Sequence, residues 1–107
     1  MNHNRGDVYL VLYPFEDEEK EKLRPAIIFD TREQFSIVIK VTSHGERGEG
    51  DIPIIHWEEA GLDEPSVARC SQYIPLHHEK IGKFLGVLHN EDLINVLEKV
   101  YNDISKR

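Results

Sequence analysis

Cysteine is almost absent: Cys70 stands alone in 107 residues, which excludes an internal disulfide and any metal site built on two thiolates. Long apolar runs are missing as well. None approaches the roughly 18 residues that span a bilayer, and Met1 to Gly6 has no apolar core of the signal-peptide kind, so a cytoplasmic protein without a membrane partner is expected. Positive charge is scarce, with 13 Lys and Arg against 20 Asp and Glu and a formal net charge of -7. That balance excludes a broad basic stripe, the usual source of nucleic-acid affinity. It leaves room for a small cationic groove drawing on Arg24, Lys40, Arg69 and Lys83. Gly45 to Gly50 lacks the Lys-Ser/Thr ending and following helix of a phosphate loop. The six histidines show no zinc-site spacing, and His3 falls in a terminus expected to fray. No metal and no cofactor is expected.

What remains is a chain of 39% hydrophobic residues in regularly broken runs, enough for one core and one domain over residues 1–107. Asp7 to Tyr13 reads as a strand bounded by Gly6 and Pro14, and Pro14 to Arg24 as a polar loop of mixed charge. Pro25 to Asp30 and Phe35 to Thr42 predict a hairpin turning at Thr31 to Gln34. Asp51 to Ile55 is a further short strand, and Trp57 to Ala60 a helical turn ending at Gly61, a residue suited to the left-handed cap. Leu62 to Pro65 turns the chain back. Ser66 to Ile74 alternates as a strand with Arg69 and Ser71 on one face, and Cys70 reads as a buried structural thiol. After a turn at His77 to Lys80 comes a last strand, Phe84 to Leu88. Asn90 predicts the N-cap of a helix from Glu91 to about Ile104, whose stripe Leu93, Ile94, Leu97, Val100, Tyr101 and Ile104 should pack on the sheet. The class is mainly β with a C-terminal helix: a small, strongly curved antiparallel sheet whose closure hides its edges.

Candidate chemistry gathers near Arg24. Pro25 holds the residue before it extended, and Thr42 and Ser43 bring two hydroxyls to a strand end. A guanidinium beside hydroxyls suits a phosphate or a carboxylate. Two readings stand for each: Arg24 as an anion site or as a salt-bridge partner of Glu19 or Glu21, and Thr42 and Ser43 as donors or as the cap of a turn. His44 is the histidine that adjoins this cluster. Tyr13 and Phe15 could stack a base or belong to the core.

The order of these pieces resembles the MazF/PemK family of toxin endoribonucleases. Arg5-Gly6-Asp7-Val8 matches the family's opening Arg-Gly-Asp-hydrophobic, and Arg24-Pro25 closes the position of its Gly-Ser-Glu-Gln-Gly-Gly-x-Arg-Pro loop, with the glycines replaced by charged residues. Thr42-Ser43 matches the Thr-Ser strand end. Ser66 to Gln72 is similar to the PemK-side pattern Val-Val-Arg-Cys-Asp-Gln, with Ser71 in place of the aspartate, and Ile81-Gly82-Lys83 and the final helix complete an order that runs from Arg5 to Tyr101.

The resemblance implies an SH3-like barrel, a homodimer and a sequence-preferring, metal-independent endoribonuclease acting on single-stranded RNA, partnered by a cognate antitoxin. It implies Arg24 on the phosphorane, Thr42 as a donor, and Glu19 as the loop acid in register with Arg24. RNA contacts would come from Ser43, His44, Arg69, Ser71, Gln72, Tyr13 and Phe15. Serine is no general base near neutral pH without activation, so Ser71 favours the Arg24 and Thr42 version of the chemistry. The alternatives from other classes are a catalytically silent binding module, or the same fold acting on a protein target.

Overall fold

The computed structural model describes residues 3–14, 21–45 and 48–107. Six strands precede one helix: β1 (Asp7–Pro14), β2 (Glu21–Thr31), β3 (Phe35–Thr42), β4 (Asp51–Pro53), β5 (Val67–His77), β6 (Ile81–Val87) and α1 (Asn90–Ser105). They form one antiparallel sheet in the order β4-β5-β3-β2-β1-β6. The mainly β class with a C-terminal helix is as expected. The expected closure is not: the sheet is curved but open, with β4 and β6 at its edges. The β4 edge is only three residues long, which limits the unpaired backbone it presents.

β2 starts earlier than its sequence suggests. Leu23, Arg24 and Pro25 pair with Leu12, Val11 and Leu10 of β1, so Arg24 lies within the strand and not at a loop's re-entry point. β3 has the expected bounds, and the hairpin turn is closed by Arg32 N–H donating to the Phe35 carbonyl at 2.8 Å.

Burial on both faces of the central strands explains the curvature. Ile27 and Phe29 enter a core shared with Val8, Ile39, Val41, Cys70 and the helix residues Val96 and Val100. Ala26 and Ile28 enter a second core with Tyr9, Val11, Tyr13, Val38, Leu76 and Ile81, supplied by strands alone. A continuous apolar run buried on two sides, where only one helix is available, requires the sheet to bend over its own second face. Register shifts in the β1–β6, β2–β3 and β3–β5 pairings supply the bends.

Helix α1 is capped by His89, one residue before the expected Asn90, because the His89 ring Nδ1 accepts the Glu91 N–H at 3.0 Å. The buried face is as expected in Leu93, Leu97 and Val100 and differs in the rest. Val96 and Val100 are fully packed with Leu93 and Leu97 beside them, whereas Ile94, Tyr101 and Ile104 of the expected stripe are exposed. Tyr73 Oη donates to Asp103 at 2.9 Å and ties the far end of the helix to β5. The near end is tied by Asp92, whose buried carboxylate accepts the backbone N–H groups of Ile55 and His56 at 2.9 and 2.8 Å.

Gly61 is a left-handed turn residue at φ +79°, as expected, and a Cβ there would lie 2.1 Å from the Leu85 carbonyl oxygen. His3 departs from expectation. It is 3% exposed, packed edge-on against Tyr9 and His78 at 5.0 and 4.7 Å, and among the described residues neither ring nitrogen has a hydrogen-bond partner.

Two outcomes are expected from these contacts. Asp92→Ala orphans two backbone donors and should cost about 3 kcal/mol in urea unfolding, since bonds to charged groups are worth about 1.5–3 kcal/mol each; a loss below about 1 kcal/mol would contradict the tie. Burial, then the neighbouring His78 and the amino terminus, push the His3 pKa below 6.5, with Asp7 opposing. The unfolded chain therefore binds more protons just below pH 6.5, so this contribution to stability is complete above 6.5 and is lost as pH falls through it. His3→Phe should flatten the stability profile in that acidic window, and an unchanged slope would remove His3 as its source.

Candidate functional site

The start of β2 and the end of β3 lie side by side. Their ladder ends with Ala26 paired to Lys40, and the same register carried two residues on brings Arg24 level with Thr42. Beyond Thr42 the chain leaves the sheet through Ser43 and His44. A groove of about 290 Å³ opens here, lined by Arg24, Pro25, Val41, Thr42, Ser43 and His44 on one side. Its other wall is Leu62, Asp63, Glu64 and Ser66, from the segment between β4 and β5.

Four residues singled out in the sequence thus meet: Arg24, Thr42, Ser43 and His44. Arg24 is half-buried, and its Nη1 donates to the Leu23 carbonyl at 3.3 Å. Thr42 is 8% exposed, and its Oγ1 accepts the His44 N–H at 3.3 Å. The hydroxyl therefore does cap a turn, as one reading had it. Accepting with a lone pair leaves its proton for donation, so capping and anion contact are compatible at this one side chain.

The remaining sequence candidates lie elsewhere. Arg69 is buried on β5 against the carboxylate of Asp51, its strand partner on β4, and does not line the groove. A guanidinium desolvated against a carboxylate is committed to that pair, so the cationic groove expected from Arg69 together with Arg24 does not form. Ser71 does not stay beside Arg69. β5 bulges between Ala68 and Tyr73, opposite Lys40, and Ser71 turns outward to a second groove with Glu49, Lys99 and Asn102. Gln72 is exposed, and its carbonyl accepts the Tyr13 hydroxyl at 3.3 Å. Tyr13 itself is 7% exposed in the strand-built core, with Lys40 Nζ 5.7 Å from its ring centre, so it belongs to the core and not to a stacking surface. Glu19 and Phe15 lie outside the described residues. Cys70 is buried as expected, and burial, reinforced by Asp51, pushes its thiol up to about 12, which leaves it inert at neutral pH.

Sequence reasoning missed Asp63 and Glu64. They read as a plain turn before Pro65, and only the return of the chain from β4 to β5 sets them across from Arg24 and Thr42. Among the described residues, Arg24 is the one permanently cationic side chain lining the groove, and Asp63 and Glu64 bring two carboxylates to the same lining. Such a groove can hold an anionic group close to Arg24 and Thr42 and can accept hydrogen bonds from a donor-bearing group on the opposite side.

Comparison with known proteins gives a family and a shared fold. Residues 4–102 match the model of the PemK-like, MazF-like toxin of type II toxin-antitoxin systems. No curated protein matches the chain. Among solved structures, the Mycobacterium tuberculosis toxin MazF-mt6 is similar with a TM-score of 0.73 at 21% identity, covering 92% of this chain and 96% of that one. An endoribonuclease from Mycobacterial species superposes with a TM-score of 0.74 at 12% identity over 98% of this chain and 94% of its own. An endoribonuclease in complex with its cognate antitoxin, also from Mycobacterial species, gives 0.73 at 11% identity over 96% and 95%. Identities this low establish a shared fold. The family rests on the model match, which covers nearly the whole chain: this protein belongs to the PemK-like, MazF-like toxins of type II toxin-antitoxin systems.

Proposed function

We propose that the chain is a sequence-preferring, metal-independent endoribonuclease that cleaves single-stranded RNA as the toxin of its pair. The observation that carries this reading is the meeting of Arg24 with Thr42, Ser43 and His44 in one groove of a MazF-like fold. In the proposed reaction the ribose 2'-oxygen attacks the adjacent phosphorus and the bond from phosphorus to the 5'-oxygen breaks, leaving a 2',3'-cyclic phosphate. The nucleophile belongs to the substrate, so the protein has to supply charge stabilisation and proton transfer. Arg24 holds the phosphorane charge, since a guanidinium stays protonated throughout. Thr42 donates to a non-bridging oxygen, with Ser43 beside it. His44, at the groove, and Glu19, five residues before Arg24 in the sequence, are the candidates to take the 2'-proton and return one to the leaving oxygen.

The site works on few contacts. With a net charge of -7 and two carboxylates on the facing wall, long-range attraction for RNA is weak, and binding should be modest and salt-sensitive. The same carboxylates favour a second reading, a groove that binds a protein segment and cleaves nothing. The proposed antitoxin partner would occupy this groove with a segment that orders on binding. A homodimer in the cytoplasm completes the proposal. The exposed Ile94, Tyr101 and Ile104 on α1 and Leu23 on β2 provide apolar surface for such a contact.

Two measurements test the proposal. Arg24→Ala should lower cleavage of a mixed-sequence RNA in EDTA by about 100-fold or more while the circular dichroism spectrum is kept. Full activity in that variant, or no cleavage by the parent protein, would sink the assignment. Sedimentation at tens of micromolar should give twice the 12.4 kDa chain mass, and a monomer there would contradict the dimer.

A further inference from the structure

Two histidines and a glutamate that lie far apart in sequence come together at the start of α1. His56 sits in the turn after β4, while His89 caps the helix and Glu91 occupies its first turn. His56 Nε2 lies 2.9 Å from Glu91 Oε1, and the His56 and His89 rings stack with centroids 3.8 Å apart. One ligand atom from each of the three residues falls within a span of 4.8 Å. We propose that His56, His89 and Glu91 form a binding site for a transition-metal dication of the zinc type.

The donor set suits such an ion. Two imidazoles and one carboxylate leave a fourth tetrahedral position for water, as in three-ligand zinc sites. Donors bound at about 2.0–2.1 Å in a tetrahedron stand about 3.3 Å apart, so the cluster has to contract by side-chain rotation alone. Its backbone is already fixed. Asp92 clamps the His56 backbone to the helix through the N–H bonds of Ile55 and His56. Glu59 lies 4.0 Å from His56 Nδ1, on the ring nitrogen opposite Glu91. That distance is beyond hydrogen-bond reach, but it puts a carboxylate on the side of the imidazole where the outer partner of a ligating histidine stands. Ligation by His89 competes with its cap, because Nδ1 now accepts the Glu91 N–H. Metal binding would therefore exchange a helix cap for a clip between α1 and the turn after β4.

None of the three residues lines the Arg24 groove, so the site is independent of the proposed RNA chemistry. It is connected to the groove by chain, since the turn that holds His56 leads directly into Leu62, Asp63 and Glu64. Clipping that turn to the helix would stiffen one wall of the groove.

The test is calorimetric titration of the full, tag-free protein with zinc chloride, using variants that keep the helix cap. His89→Asn retains a good N-cap but removes the imidazole, and His56→Asn removes the second nitrogen ligand. Binding of one equivalent of zinc with a dissociation constant below about 100 μM is expected. Each variant should weaken it by about tenfold or more, and zinc should raise the melting temperature of the parent and not of the His56→Asn protein. His77→Asn, which alters the separate His77–Glu79 pair at 3.3 Å, should bind zinc as the parent does. Absence of saturable binding in the parent, or parent-like affinity in both His56→Asn and His89→Asn, would overturn the site.

Discussion

The structure depends on the double-sided burial of β2. Ala26, Ile27, Ile28 and Phe29 follow one another without a polar break, and in a strand successive residues face opposite sides. One helix can cover only one of those sides. The sheet meets the requirement by bending, so that Tyr9, Val11, Tyr13, Val38, Leu76 and Ile81 enclose the face that α1 does not reach. Arg24 and Thr42 sit where this apolar run ends and the two strands leave the enclosed region, which is why the groove lies at the rim and not within the core.

A second constraint sets the opposite wall. The segment from Ile54 to Ser66 has little regular structure, and three anchors position it: the Asp92 carboxylate on the Ile55 and His56 N–H groups, the close approach of Gly61 to Leu85, and the Ile54 N–H on the Ser66 carbonyl at 2.9 Å. Asp63 and Glu64 are held across from Arg24 by this arrangement. The same anchor brings His56 to His89 and Glu91, so the groove wall and the proposed cation site share one support.

Charge is distributed in the chain by pairing more than by total. Arg69 is consumed by Asp51 in the interior, Lys80 by Glu21, and Arg107 by Asp103 at the helix end. Among the described residues, Arg24 is the one Lys or Arg that lines the groove. A fold shared with proteins described as endoribonucleases here carries a groove whose lining includes one guanidinium, a threonine hydroxyl and two carboxylates. In such a groove short-range hydrogen bonds have to contribute most of the recognition, and the field of the whole protein very little.

The sequence by itself determined the strand-rich class, the β2–β3 hairpin, the terminal helix and the membership of Arg24, Thr42, Ser43 and His44 in one cluster. Those are local matters of propensity, turn chemistry and proximity along a hairpin. It did not determine which way Arg69 and Ser71 would face, because the bulge in β5 breaks the alternation from which a shared face was read. It determined the helix face only in part: Leu93, Leu97 and Val100 pack as the periodicity indicates, while Val96 joins them in the core and Ile94, Tyr101 and Ile104 stay exposed. The finest case is the register of the hairpin. An unbroken ladder from the Thr31–Ser36 pair would set Arg24 opposite Ser43, but one extra residue between Ile28 and Asp30 moves it to Thr42. Phe29 is that residue, and its ring is fully committed to the helix-side core, edge-on to Tyr101 at 5.5 Å. The bulge that seats Phe29 in this core thus sets the register that carries Arg24 level with Thr42, and a one-residue slip would turn every side chain on the strand to the other face.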